Sequence, residues 1–189
     1  IAENLIQSNK AHNDPFWDNS AGSFFFGLVI LLFKYCKEQK LGKDYVHIGN
    51  VIKLRNLLFS EHAGGRNSEL WKYAKTDQII TSAMIGTVET ANDTREGILS
   101  VFDQNVRIFS IQPNLLEMLA CNDIDFDIIS KEPTAIFMIL PDEKTGYHRL
   151  ASLFIKQNYE YIINKAQMDS KKDGFQIGRL ERRINYILD

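Results

Sequence analysis

The stretch DPFWDNSAGSFFFGLVILLFKYCK, residues 14–37, decides the fold. Asp14 is a capping residue type, since its carboxylate can accept the N–H groups that a first helical turn leaves without partners. Pro15 follows at the first helical position, where its missing N–H costs nothing. From Phe16 the pattern predicts a helix to about residue 37, closed off by EQKLGKD with Gly42, and Phe16 and Trp17 read as anchors for its start. Its centre, FFFGLVILLF at 24–33, is apolar on every side but shorter than the roughly twenty residues that span a bilayer. A soluble helix buried on nearly all sides is the expectation, with no membrane segment in the chain.

A helix of that kind needs other helices around it, and the flanking sequence supplies them. Ile1–Ser8 reads as the tail of a preceding helix. Ile48, Val51, Ile52, Leu54 and Leu58 form one apolar stripe. Ser68 can cap a short helix carrying Leu70, Trp71 and Ala74, and Thr76 or Asp77 can restart one with Ile79, Ile80, Ala83, Met84 and Val88 inward. Asp93 and Glu96 have the spacing of a capping box ahead of Ile98, Val101, Phe102, Val106 and Phe109. Pro113 opens one more short helix.

The pattern changes after Pro133. TAIFMIL, residues 134–140, is a continuous apolar run that suits a strand covered on both faces. A helix follows from Tyr147 to about Met168, then the polar loop DSKKDGFQIG, then a second strand at 184–188. Strand, crossover helix and strand make a βαβ unit. The predicted fold class is therefore mainly α: a helical bundle followed by a βαβ fragment. Such a fragment, with strand edges open, is expected to be partly disordered or paired with a neighbour.

Composition bounds the chemistry. A net charge of −2 excludes a strongly basic nucleic-acid-coating protein. Cys36 and Cys121 form no CxxC and read as buried thiols in a reducing compartment. The four histidines lack metal-ligand spacing, and no nucleophile elbow occurs. Basic runs such as KEQKLGK and RLERR are interrupted by acids and read as solvated surface. Ile1 is not an initiator methionine, and the chain stops on Asp189 directly after an apolar stretch, so an excised piece of a longer protein is expected.

Two groups of residues are candidates for function. Ligands of open α/β sheets bind at the carboxyl ends of the strands, which is where Asp142, Glu143 and Asp189 fall. Asp189 after INYIL has the position of a Walker B aspartate, able to hold Mg²⁺ beside a phosphate. Asp142 and Glu143 are weaker, being explained by a solvated turn after Pro141. HAGGRNSE, with Gly64, Gly65, Arg66 and Asn67, has the composition of an exposed loop and is the first candidate for substrate recognition.

DPFWDNSA (14–21), EGILSVFDQNVRIF (96–109), DIDFDIISKEPTAIFMILPDEKTGYHRLASLFIKQNYEYII (123–163) and the closing RINYILD together resemble the conjugative coupling proteins of type IV secretion, the TraG/TraD-like ATPases. The resemblance implies that residues 1–131 are an all-α substrate-recognition domain and 132–189 a returning piece of a RecA-like P-loop ATPase domain, ending at Walker B. It implies a hexameric, membrane-anchored parent on the cytoplasmic face of the membrane, with ATP and Mg²⁺ as its cofactors. Its partners would be relaxase or relaxosome proteins, with single-stranded DNA as a further ligand. The sequence contains no Gly-x-x-x-x-Gly-Lys-Ser/Thr stretch, so this chain is expected to be inactive as an ATPase and to act by recognition. The rivals are a metal-dependent phosphoester hydrolase using Asp142, Glu143 and Asp189, and a structural spacer between subunits.

Overall fold

A computed structural model of the chain describes residues 14–60, 64–121, 124–141, 145–169, 180 and 182–187. The chain separates into two compact units, residues 2–122 and 123–189, and each is described by itself.

The N-terminal unit is a helical bundle around α1, Pro15–Glu38. Asp14 caps it as expected, its Oδ1 accepting the Phe16 N–H at 2.9 Å. The helix ends at Glu38, within the expected closing segment; Gln39 closes the last turn, and Lys40 rather than Gly42 takes the left-handed conformation, at φ 54°. Next come α2 (Ile48–Leu58), α3 (Glu69–Ala74), α4 (Gln78–Val88), α5 (Asn92–Ser110) and α6 (Pro113–Ala120). Short 3₁₀ turns lie at Lys43–Tyr45 and Gly65–Asn67. Ser68 caps α3, accepting the Trp71 N–H, and Asp77 caps α4, accepting from Ile79 and Ile80. The capping box at Asp93 is not formed: α5 begins at Asn92 after Ala91, which leaves Asp93 inside the first turn with no capping bond.

The core is where α1 meets α4, α5 and α2. Phe24, Leu28 and Leu31 of α1 are fully buried with Ile80, Met84 and Val88 of α4 and Ile98 and Phe102 of α5. The Phe24 and Phe102 rings meet edge to face at 5.5 Å, and Phe25 lies 6.1 Å from Phe102. Such pairs add to the burial energy because a ring's positive edge seeks a negative face. By length and composition α1 could cross a membrane; in this fold Ala21, Phe24, Phe25, Leu28, Leu31, Leu32 and Cys36 are buried, while Phe26 and Phe33 stand about half exposed. Cys36 is a buried thiol as expected, but Cys121 is exposed, because it follows the last turn of α6 in extended conformation.

The C-terminal unit contains α7 (Phe126–Lys131) and α8 (Thr145–Asp169). The expected crossover helix is present as α8. The expected strands are not: among the described residues no strand occurs, and 133–141 and 182–187 run without regular structure. Phe137 is 87% exposed and Ile139 92%, so the apolar run expected to be covered on both faces is open. The reason is physical, since a strand of that composition needs hydrogen-bonded neighbours on its edges and the described residues hold no second strand beside it.

Within this unit α7 packs on α8. Phe126 packs edge to face on Phe154 at 5.5 Å and lies 5.8 Å from Tyr161. Beside it Asp127 pairs with Lys131 one turn on at 2.6 Å, pairs with Lys165 across the helices, and accepts the Tyr161 hydroxyl at 3.2 Å. These partners, Lys131 first, hold the Asp127 carboxyl far below its usual range. A depressed carboxylate contributes stability above its unfolded pKa, and that contribution fades as pH falls through the folded value. Acidification from about pH 4 downward is therefore expected to loosen α7 from α8. Circular dichroism melts from about pH 5 to about pH 2.5 check this: Asp127→Asn should already be weakened at the upper end and lose less stability on acidification. Parallel pH profiles for both proteins would refute it.

Candidate functional site

The segment chosen from sequence as a recognition loop is built as a brace. Gly64 and Gly65 both take left-handed conformations, at φ 58° and 55°. A side chain at either would be strained, and a Cβ on Gly65 would sit 3.1 Å from the Phe59 ring. This double kink turns the chain from α2 into α3 and leaves Gly65 buried. Arg66 then reaches the end of α4, donating to the carbonyl oxygens of Glu89 and Thr90. A helix C-terminus leaves its last carbonyls without partners, and a guanidinium there satisfies them and complements the dipole. Asn67 is exposed at the tip of this turn.

Behind the brace sits Trp71, fully buried. Its indole N–H donates to Glu89 Oε1 at 2.8 Å, and Lys75 approaches the same carboxylate at 3.2 Å. The indole hydrogen bond, then Lys75, holds the Glu89 carboxyl below its ordinary value. Arg66 and Trp71 thus hold Glu89 by its backbone and by its side chain, tying α3 to the end of α4.

A concave surface of the unit lies between α2 and α5. It is a groove of about 580 Å³ with Ile52, Leu99 and Val106 among its lining residues. Arg55 of α2 crosses it to Asp103 of α5, Nη2 to Oδ2 at 2.5 Å, and its Nη1 lies 3.4 Å from Asn56 Oδ1. Arg55 Nε is buried without a hydrogen-bond partner. Burial pushes the Asp103 carboxyl up, Arg55 draws it down, and Glu96 repels it from one turn-pair away. Glu96 and Arg107 line the groove on opposite sides of that central pair along α5.

The pairing at the centre of this groove is not encoded locally. Arg55 and Asp103 are 48 residues apart, and only the packing of α2 on α5 makes them partners. The sequence signal that existed was the polar stripe Glu96, Asp103 and Arg107 on the helix face away from Ile98 and Phe102. The strand-end acids Asp142, Glu143 and Asp189 lie outside the described residues. Among the described residues no group of three or more His, Cys, Asp or Glu could hold a metal ion.

Comparison with known proteins adds one positive finding. Neither the curated proteins nor the solved structures yield a match. The family model described as Type IV secretory system Conjugative DNA transfer matches residues 1–176, which takes in the whole helical bundle, α7 and α8. The chain belongs to the family of type IV secretory system conjugative DNA-transfer proteins.

Proposed function

We propose that the N-terminal helical unit is the substrate receptor of a conjugative coupling protein, recruiting a relaxase, relaxosome proteins or DNA to an ATP-driven translocation channel. The observation that carries this reading is the reach of the family match, which runs through the whole bundle rather than touching one motif. The bundle suits recognition: a packed aromatic core carries an open groove of mixed polar and apolar lining on its surface. Residues beyond the bundle would belong to the motor domain of a hexameric, membrane-anchored parent facing the cytoplasm. There ATP and Mg²⁺ would act, with Asp189 as a Walker B aspartate. This chain has no phosphate-cradling Gly-x-x-x-x-Gly-Lys-Ser/Thr sequence, so we expect no ATP hydrolysis from it alone.

Calorimetry tests the reading. The purified chain is titrated with the relaxase of the same mobile element, and separately with single-stranded DNA. Saturable binding of the relaxase is expected. Binding of DNA alone, weakened steeply by salt, would make the unit a guide for the nucleic acid instead. Silence in both titrations would favour a spacer between subunits. Asn67, exposed at the loop tip, is the fair probe of the loop as a contact surface; Arg66→Ala would instead test the brace on α4.

A further inference from the structure

The α2–α5 groove carries its charges in order. Glu96 lies at one end, the Arg55–Asp103 pair at the middle, and Arg107 at the other. Eleven residues separate Glu96 from Arg107, which on a helix is about 16 Å. The middle pair neutralises itself, so the two ends set the field. Glu96 is exposed and its nearest cation, Arg95 Nε, is 3.8 Å away, too long for a firm pair. Arg107 is exposed and makes no ion pair among the described residues. Between the ends the groove holds apolar Leu99 and Val106, both buried.

We propose that this groove docks a dipolar segment of a partner protein, with an acidic side chain at Arg107, a basic one at Glu96 and apolar side chains between. The inference rests on the receptor reading of the bundle and names the chemistry of its partner. Nucleic acid fits less well, because a phosphate backbone presents one sign of charge throughout and would meet Glu96 unscreened. A short amphipathic helix matches both the 16 Å span and the apolar floor, and helix-in-groove recognition reads spaced anchors in this way. The charge order supplies orientation and partner choice more than raw affinity.

Three labelled synthetic helical peptides with the same apolar positions serve as probes: one dipolar, one acidic at both ends, one basic at both ends. Fluorescence anisotropy should show that the chain prefers the dipolar peptide. Glu96→Lys makes the groove basic at both ends and should shift the preference to the acidic peptide. Arg107→Glu should shift it to the basic one. Each switch is expected to be about five- to tenfold in Kd, the size of one exposed charge contact reversed. Both residues are exposed, and unchanged melting curves verify the fold. A chain that ranks the peptides alike, or variants that keep the wild-type ranking, would overturn the proposal, as would single-stranded DNA displacing the dipolar peptide. If the relaxase binds the wild type and both variants equally, the groove inference fails while the receptor reading stands; if the wild type binds neither the relaxase nor single-stranded DNA, the receptor reading itself fails.

Discussion

Replacing Trp71 with alanine is expected to lower the unfolding midpoint of the helical bundle by about 10–15 °C, corresponding to about 3–5 kcal/mol for a buried large aromatic removed from a packed core. The indole is fully buried on a helix of only six residues, Glu69–Ala74, which has too few turns to stand without tertiary packing. Against a typical domain stability of about 5–15 kcal/mol, that loss is a large fraction of the whole. Trp71→Phe separates packing from the hydrogen bond. It keeps most of the ring volume and deletes the donor to Glu89, whose side chain is open enough to water to find another. The phenylalanine variant should therefore lose much less stability, while the Glu89 carboxyl, read by NMR titration, should move up toward its ordinary value. A W71A midpoint within about 3 °C of wild type would mean that α3 does not anchor the brace.

The caps of this fold were legible because they are local. Asp14, Ser68 and Asp77 each accept from the first turn of the helix that follows, and residue type with spacing is enough to see it. Asp125 does the same for α7 and could have been read in the same way, though that helix was not anticipated. The burial of Ile80, Met84, Ile98 and Phe102 was equally visible, since helical periodicity writes one face in apolar residues. Legibility failed where the outcome depends on distant chain. TAIFMIL has the composition of a doubly covered strand, but composition cannot provide the neighbours that make a ladder, and the described segment is exposed. The glycine-rich loop is exposed at Gly64, Arg66 and Asn67, as its polar composition predicts. Arg66 is nonetheless engaged by carbonyls 23 and 24 residues away, a pairing no local pattern encodes. The groove failed to show for the same reason: its central ion pair exists only after α2 and α5 have packed.

Gly27 is expected to resist a larger side chain because of close packing rather than backbone conformation. It lies in the middle of α1, where α1 crosses α4, and a Cβ there would stand 2.3 Å from Met84 Cγ, 3.0 Å from its sulfur and 3.2 Å from Ala83 Cβ. Met84 is fully buried, so its side chain has little room to move aside. Overpacking of this kind costs about 1–3 kcal/mol, set against about 1 kcal/mol of helix propensity gained when glycine becomes alanine. Gly27→Ala should thus be neutral to moderately destabilising, and Gly27→Val, larger and β-branched, should lose several kcal/mol on the order of a lost core side chain. Gly22 and Gly86 supply the internal control, since a Cβ on either meets nothing within 4 Å. Both lie in helices, and alanine at each should stabilise the bundle by about 0.5–1 kcal/mol. The sign difference between equivalent substitutions removes propensity as an explanation and leaves close approach. Met84→Ala completes the argument: alone it opens a cavity, but combined with Gly27→Val it should recover about 0.5–3 kcal/mol relative to the sum of the two single changes. Additive losses in that cycle, measured by urea unfolding, would mean that α1 and α4 do not meet at Gly27.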